Sequence, residues 1–387
     1  MMKHYILSLI AFVFACSVAF NSFGQGSTTA SLSGVVKDKN GEELPGATVL
    51  AVHTPTGSQF GAVTTLSGNY TILNMNVGGP YTITVQYVGY EDQKKENVYL
   101  SLGQTLRMNF DLSEDVQTIG EVVITSNAEI IDGEKTGAGT TVSQDQLNAL
   151  PTISRSLGDF TRTTPQARVD GNGAITIAGQ NNRYNSIMID GAVNNDVFGL
   201  SASGTNGGQT GISPISLDAI EQIQIVVAPF DVRQGGFSGG GINAVTRSGS
   251  NKVEGSAYYL FRNEGLAGKT PTDDATLERQ KLDDFSSSII GFRLGAPIKK
   301  DKLFIFINGE IERLETPQPF NFSDYKGTSS QSEIENLSSQ LQSRYGYDAG
   351  GFLNNTKELS SNKLFARLDN IYRAIFRFRV QQGKQRV

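Results

Sequence analysis

Apolar and polar residues alternate with a period of two through much of this chain. Between Tyr81 and Tyr87, the residues Tyr81, Ile83, Val85 and Tyr87 occupy one face and Thr82, Thr84 and Gln86 the other, the pattern of a half-buried strand. The stretch from Ser31 (SLSGVVKDKNGEELPGATVLAV) has the same character, with a turn at Asp38–Gly41 and another at Thr65–Tyr70. About seven short strands in roughly eighty residues predict a β-sandwich over residues 31–113. From Lys252 the alternation lengthens. Val253, Gly255, Ala257, Tyr259 and Phe261 oppose Glu254, Ser256, Tyr258 and Arg262, a dyad suited to lipid on one side and water on the other, although Leu260 interrupts the polar face. A second run places Ile290, Phe292, Leu294 and Ala296 on one face. A charged turn at Lys299–Lys302 leads to Leu303, Ile305, Ile307 and Ile311, and LFARLDNIYRAIFRFRV resumes the pattern after Asn362. The intervening polar segments, Asn263–Phe285 and Leu314–Asn362, are far longer than the turn, the spacing of a barrel with long outer loops and short inner turns. Residues 381–387 lack alternation and are not expected to form a strand.

The middle of the chain is β-rich but less regular. Ser143 is a plausible N-cap for a short helix to Leu150, stopped by Pro151, and Ser156–Thr161 suits another. Short β-branched runs follow from Asp170 to Ser250, bounded by Gly, Asn and Asp; Asp170–Gly173 and Asp190–Gly191 read as hairpin turns. Gly235, Gly236, Gly239, Gly240 and Gly241 imply backbone packed closely against a neighbour. Residues 114–128 have too little apolar content for a domain and read as a linker carrying one strand-prone segment, Glu121, Val122, Val123, Ile124 and Thr125.

Composition removes several kinds of chemistry. Lys3 and His4 precede an apolar run from Tyr5 to Phe20, with small residues before Gln25, so residues 1–24 are expected to be a signal peptide. Cys16 lies inside that run, and bulky Phe14 two positions before it argues against lipidation. Cleavage after Gly24 would leave His53 as the only histidine and no cysteine, which excludes disulfides, thiolate metal sites and a histidine pair for zinc. His53 is expected at a solvated strand end. Gly236–Gly240 (GFSGG) fits a nucleophile spacing around Ser238 but lacks the strand-then-helix context. No cofactor and no enzymatic activity are expected. The formal net charge of -5 on 387 residues gives no bias toward nucleic acid.

Two stretches carry a family resemblance. IAGQNNRYNSIMIDG and FSGGGINAVTRSGSN closely resemble the plug strands of TonB-dependent outer-membrane receptors of the Oar-like branch. GVVKDKNGEELPGATV and GNYTILNMNVGGPYTITVQYVGY resemble the carboxypeptidase regulatory-like domain, a transthyretin-like β-sandwich. The resemblance implies a mainly β chain: a sandwich at 31–113, a linker with a TonB box at 114–128, an α+β plug at 129–250 and the first strands of a transmembrane β-barrel at 251–387. It implies that residues 121–125 add as a strand to a periplasmic TonB-type coupling protein, that Arg183, Asp190, Gly191, Gly239, Gly240 and Gly241 belong to the plug, and that Arg162, Arg168 or Arg183 either pins the plug to acidic groups on the barrel wall or lies in solvent. Outer-membrane lipid, a surface lipoprotein and an unidentified ligand are the other expected partners. Receptors of this family close roughly 22 strands, whereas this chain has room for four or five, so it is expected to be a fragment that alone neither inserts nor transports. A different class of function, surface adhesion or carbohydrate binding through the sandwich, would draw on Tyr70, Tyr81, Tyr87 and Tyr90, since there is no Trp to stack on a sugar.

Overall fold

A computed structural model describes residues 28–386 apart from 115–121, 126–137, 151, 153–154, 171–172, 228–236, 274–275, 277, 319–321, 323–324, 354 and 372. The expected signal peptide with Cys16, most of the expected linker with Glu121, and Gly235 and Gly236 lie outside the described residues.

The first domain is built from β1 (Thr29–Asp38), β2 (Thr48–His53), β3 (Ser58–Val63), β4 (Asn69–Asn76), β5 (Gly78–Gln86), β6 (Gln93–Leu100), β7 (Thr105–Arg107) and β8 (Phe110–Leu112). In one sheet β1 pairs antiparallel with β4 and parallel with β7 and β8; the other has the order β3-β2-β5-β6, extended by β9 (Val122–Thr125). The alternation in β1 and β5 turns Leu32, Val36, Tyr81, Ile83 and Val85 into the space between the sheets, where all five are fully buried. Each such aliphatic side chain contributes roughly 1.5–3 kcal/mol. At the end of β1 the Asp38 carboxylate accepts from the backbone N–H of Asn40 and Glu42 at 2.9 and 2.6 Å, closing the expected turn.

Two expectations for this domain change. Tyr70 and Tyr81 are core residues whose hydroxyls donate to the Met108 and Asn76 carbonyls, leaving neither ring free for a sugar. His53 sits at a strand end but is buried, not solvated. Its Nδ1 lies 2.7 Å from Thr56 Oγ1 and its ring 4.8 Å from that of Tyr81. The tight turn after β2 folds Thr56 back onto the imidazole, so polar neighbours in sequence became a buried polar pair.

The middle domain follows with β10 (Ala138–Val142), α1 (Gln144–Ala149), α2 (Leu157–Thr161), β11 (Ala167–Val169), β12 (Ile175–Ile177), β13 (Ser186–Ile189), β14 (Ala192–Val193), β15 (Ile220–Val227) and β16 (Gly240–Thr246). Five strands form a mixed sheet, β10-β15-β16-β13-β14, with β11 and β12 as a separate hairpin across the Asp170 turn. Ser143 caps α1 in a capping box with Gln146. The β13–β14 hairpin turns at Asp190 and Gly191 with φ of +52° and +78°. Paired left-handed residues of this kind suit the twist of a two-residue hairpin, and Asp-Gly tolerates them. Ile187, Ile189, Ile223, Ile225 and Ile242 fill the core with Phe160 from α2.

Residues 247–253 connect β16 to β17 (Glu254–Asn263), which opens an antiparallel sheet with β18 (Ser286–Lys299), β19 (Leu303–Gln318), β20 (Asn355–Asn370) and β21 (Arg373–Arg386), each paired with the next. The outward faces present Tyr259, Phe261, Ile290, Phe292 and Leu294 to the surroundings. Among the described residues no helix is long and apolar enough to cross a membrane; the long strands carry the lipid-type face. The inward face differs from the expected watery one: Phe304 and Phe306 of β19 and Phe365 of β20 are buried, and Phe306 and Phe365 join the core of the middle domain. Two further expectations fail here. The strands β19 and β20 extend well into the segment read as polar loop, and α3 (Gln331–Tyr345) lies between them. Residues 381–386 continue β21 without side-chain alternation, paired with β20 out to Glu358↔Arg386, since ladder bonds run between backbone N–H and C=O groups.

Candidate functional site

The residues with mechanical interest lie where the three parts meet. Of the segment 121–125, residues Val122–Thr125 form β9, paired in parallel with β6 in the register Gln93↔Val122, Lys94↔Val123, Lys95↔Ile124 and Glu96↔Thr125. What the sequence offers as a bare strand-prone linker is thus the outermost strand of the sandwich.

Directly after β6, the chain contacts the middle domain. Leu102 N–H donates to Gln222 Oε1 at 2.9 Å, while Gln222 Nε2 donates to the Leu100 carbonyl at 3.2 Å and Gln224 Nε2 to the Leu102 carbonyl at 2.8 Å. All three bonds are buried and Leu102 is fully enclosed. Alternation in β15 produces this contact: Ile223 and Ile225 enter the core, so Gln222 and Gln224 face the other way, toward the sandwich. The sandwich also touches the connection between β16 and β17, and through it the turn between β18 and β19. Asn251 N–H donates to the Pro55 carbonyl at 2.8 Å, and the Asn251 amide exchanges hydrogen bonds with Asp301.

The middle domain is tied to the sheet wall by a buried polar cluster. Glu310 of β19 accepts from Ser216 Oγ at 2.8 Å, from the Tyr258 hydroxyl, and from Lys363 Nζ at 2.8 Å; Lys363 also reaches Glu312 at 3.4 Å. Glu310 and Lys363 are both buried, where an ion pair holds only if its remaining hydrogen-bonding capacity is filled. Nearby, Arg155 pairs with Asp218 at 3.3 Å and lies over the Tyr258 ring. A second tie runs through Thr246: its N–H and Oγ1 donate to the Asp190 carboxylate at 2.9 and 2.7 Å, and its carbonyl accepts from Arg367 of β20. Burial pushes the carboxyl of Glu221, near these groups on β15, up to about 7, with Arg293 and Arg367 opposing the shift.

The sequence-selected residues divide accordingly. Asp190 joins the Thr246–Arg367 tie, and Gly191 completes its turn. Gly239, Gly240 and Gly241 stand where an added Cβ would press on Asn185, Ile177, and Val226 with Phe237, respectively, which is the close packing expected of them. Arg183 instead donates to the Gly199 carbonyl at 3.0 Å within its own domain, and Arg162 is exposed. The contacts to the wall use Arg155, Ser216 and Thr246 on one side and Tyr258, Glu310, Lys363 and Arg367 on the other. None carries a local sequence signal, since the partners lie 42 to 121 positions apart.

Residues 31–113 match the carboxypeptidase regulatory-like domain, 133–242 the TonB-dependent receptor plug domain, and 245–345 an outer membrane beta barrel domain. The TonB-dependent transporter Oar of Myxococcus xanthus is 30% identical over 304 residues, 74% of this chain and 26% of that protein. The TonB-dependent receptor SusC of Bacteroides thetaiotaomicron is 26% identical over 267 residues, 66% of this chain and 24% of that protein. The chain therefore spans about a quarter of the length of these relatives. Among solved structures, the outer membrane transporter YddB from Escherichia coli aligns over 64% of this chain and 33% of its own at 16% identity, with a TM-score of 0.45. The siderophore receptor PirA from Acinetobacter baumannii aligns over 64% and 31% at 18% identity, with a TM-score of 0.41. With a regulatory-like sandwich, a plug and the opening of an outer-membrane barrel in that order, and with its kinship to Oar, the chain belongs to the TonB-dependent receptors of the outer membrane.

Proposed function

We propose that this chain supplies the energy-input end of an outer-membrane transporter for a bulky nutrient of the peptide, oligosaccharide or chelated-iron kind. A periplasmic TonB-type protein engages Glu121–Thr125 by strand addition and pulls. Ligand is held on the opposite side by what lies between the long strands, residues 264–285 and 319–354, with the plug loop 194–211. The observation that carries this reading is the cluster around Glu310, where a plug serine, a wall tyrosine and a wall lysine converge on one buried carboxylate. Such a contact holds the plug firmly yet breaks as a unit, because removing one partner leaves a buried charge unmatched.

Deleting Glu121–Thr125 from the receptor with its complete barrel should abolish energy-dependent uptake while leaving ligand binding at the cell surface intact. Unchanged active uptake in the presence of the coupling protein would exclude the segment from the mechanism.

A further inference from the structure

We propose that the sandwich is the storage site of the coupling segment: residues 122–125 rest as an added strand on the β6 edge, and pulling loads the sandwich before it loads the plug. This rests on reading 121–125 as the coupling segment.

Three observations converge. Without β9 the sheet would end at β6, whose outward N–H and C=O groups would have no strand beside them; β9 covers half of that eight-residue edge. The route of the chain also fits. Glu91 N–H donates to the Ser113 carbonyl at 2.9 Å and Tyr90 bridges to Glu114, so the chain leaves the sandwich beside the start of β6. The first residue of β9, Val122, pairs with the first residue of β6, Gln93. The intervening residues 115–121 thus join two points at the same end of one strand. Finally, parallel pairing needs a connection long enough to cross over, and the stretch that returns from β6 through β7 and β8 to Glu114 provides it.

The mechanical consequence follows from what β6 touches. Its last residue and the loop beyond it bond to Gln222 and Gln224 of β15, while β15 also pairs with β10, the first plug strand after the coupling segment. With β9 on β6, tension passes into the sandwich and its bonds to β15. Twelve residues, 126–137, separate β9 from β10, and in this proposal the load reaches β10 once β9 has left its place.

The register can be tested by cross-linking in a Cys16→Ser background, which removes the one cysteine of residues 1–387. Lys94→Cys with Val123→Cys places the two thiols on directly paired residues, about 4.8 Å apart between Cα atoms. Lys94→Cys with Thr125→Cys is slipped by two residues to roughly 8 Å, beyond disulfide reach. In the receptor with its complete barrel, in outer-membrane preparations, the first pair should oxidise at least about tenfold faster than the second. Equal rates, or faster oxidation of the slipped pair, would overturn the storage site. The comparison reads only where the segment rests, so it can fail while the uptake deletion succeeds, and the reverse.

Discussion

His53 closes β2 against the Tyr81 ring, and burial pulls its imidazole down to about 4 from an ordinary 6.5. As pH falls from 6.5 toward 4, the unfolded chain takes up a proton that the folded sandwich refuses. Stability present above pH 6.5 is therefore lost through that window, by about 3 kcal/mol in total. Hydrogen exchange of sandwich amides should show this loss, and His53→Asn should flatten it. Lys363→Met should loosen the plug by roughly 3–5 kcal/mol because it leaves Glu310 buried without its cation. Adding Glu310→Gln should recover part of that loss, and protease resistance of the plug measures both. Residues whose role is local could be read from the sequence: Asp190-Gly191 makes the turn its composition demands, and Gly240 signals a close approach although not its neighbour, Ile177. Arg183 and Arg155 could not be told apart, because which arginine meets an acidic partner depends on chain segments far away in sequence.

Among the elements, the strands of the sandwich and most of the long sheet announced themselves by alternation, and α1 by its Ser143 cap. The third helix did not, since no residue of α3 is buried and no apolar stripe marks it, although Ser330 and Glu333 form a capping box that was available to find it. β15 is the most instructive strand. Its isoleucines mark it as core, but its glutamines bear the contact with the sandwich, and polar residues on the far face of a strand look solvated until something docks there. Gln222→Ala with Gln224→Ala should release the sandwich from the plug while leaving both folded, because the buried Leu100 and Leu102 groups lose their partners. Faster proteolysis between residues 115 and 137, with unchanged protection of either domain, is the expected result.

At the scale of the molecule, the order of parts was legible because each matches a recognisable pattern. Their mutual docking was not, since the side-chain contacts that join them link residues 42 to 122 positions apart. Phe306 and Phe365 illustrate the difficulty: an inward residue on a barrel strand reads as water-facing until the plug occupies that space. The connection from β16 to β17 has a further implication. It comprises only residues 247–253, and even this short length is held close by Arg247 bonded to Ala219 and Ile220. Fully straightened, it reaches at most about 28 Å. The stopper is therefore on a short leash fixed to the rim, and under the pull proposed above it is expected to tilt or unravel from its opposite end before it has rope enough to drop free.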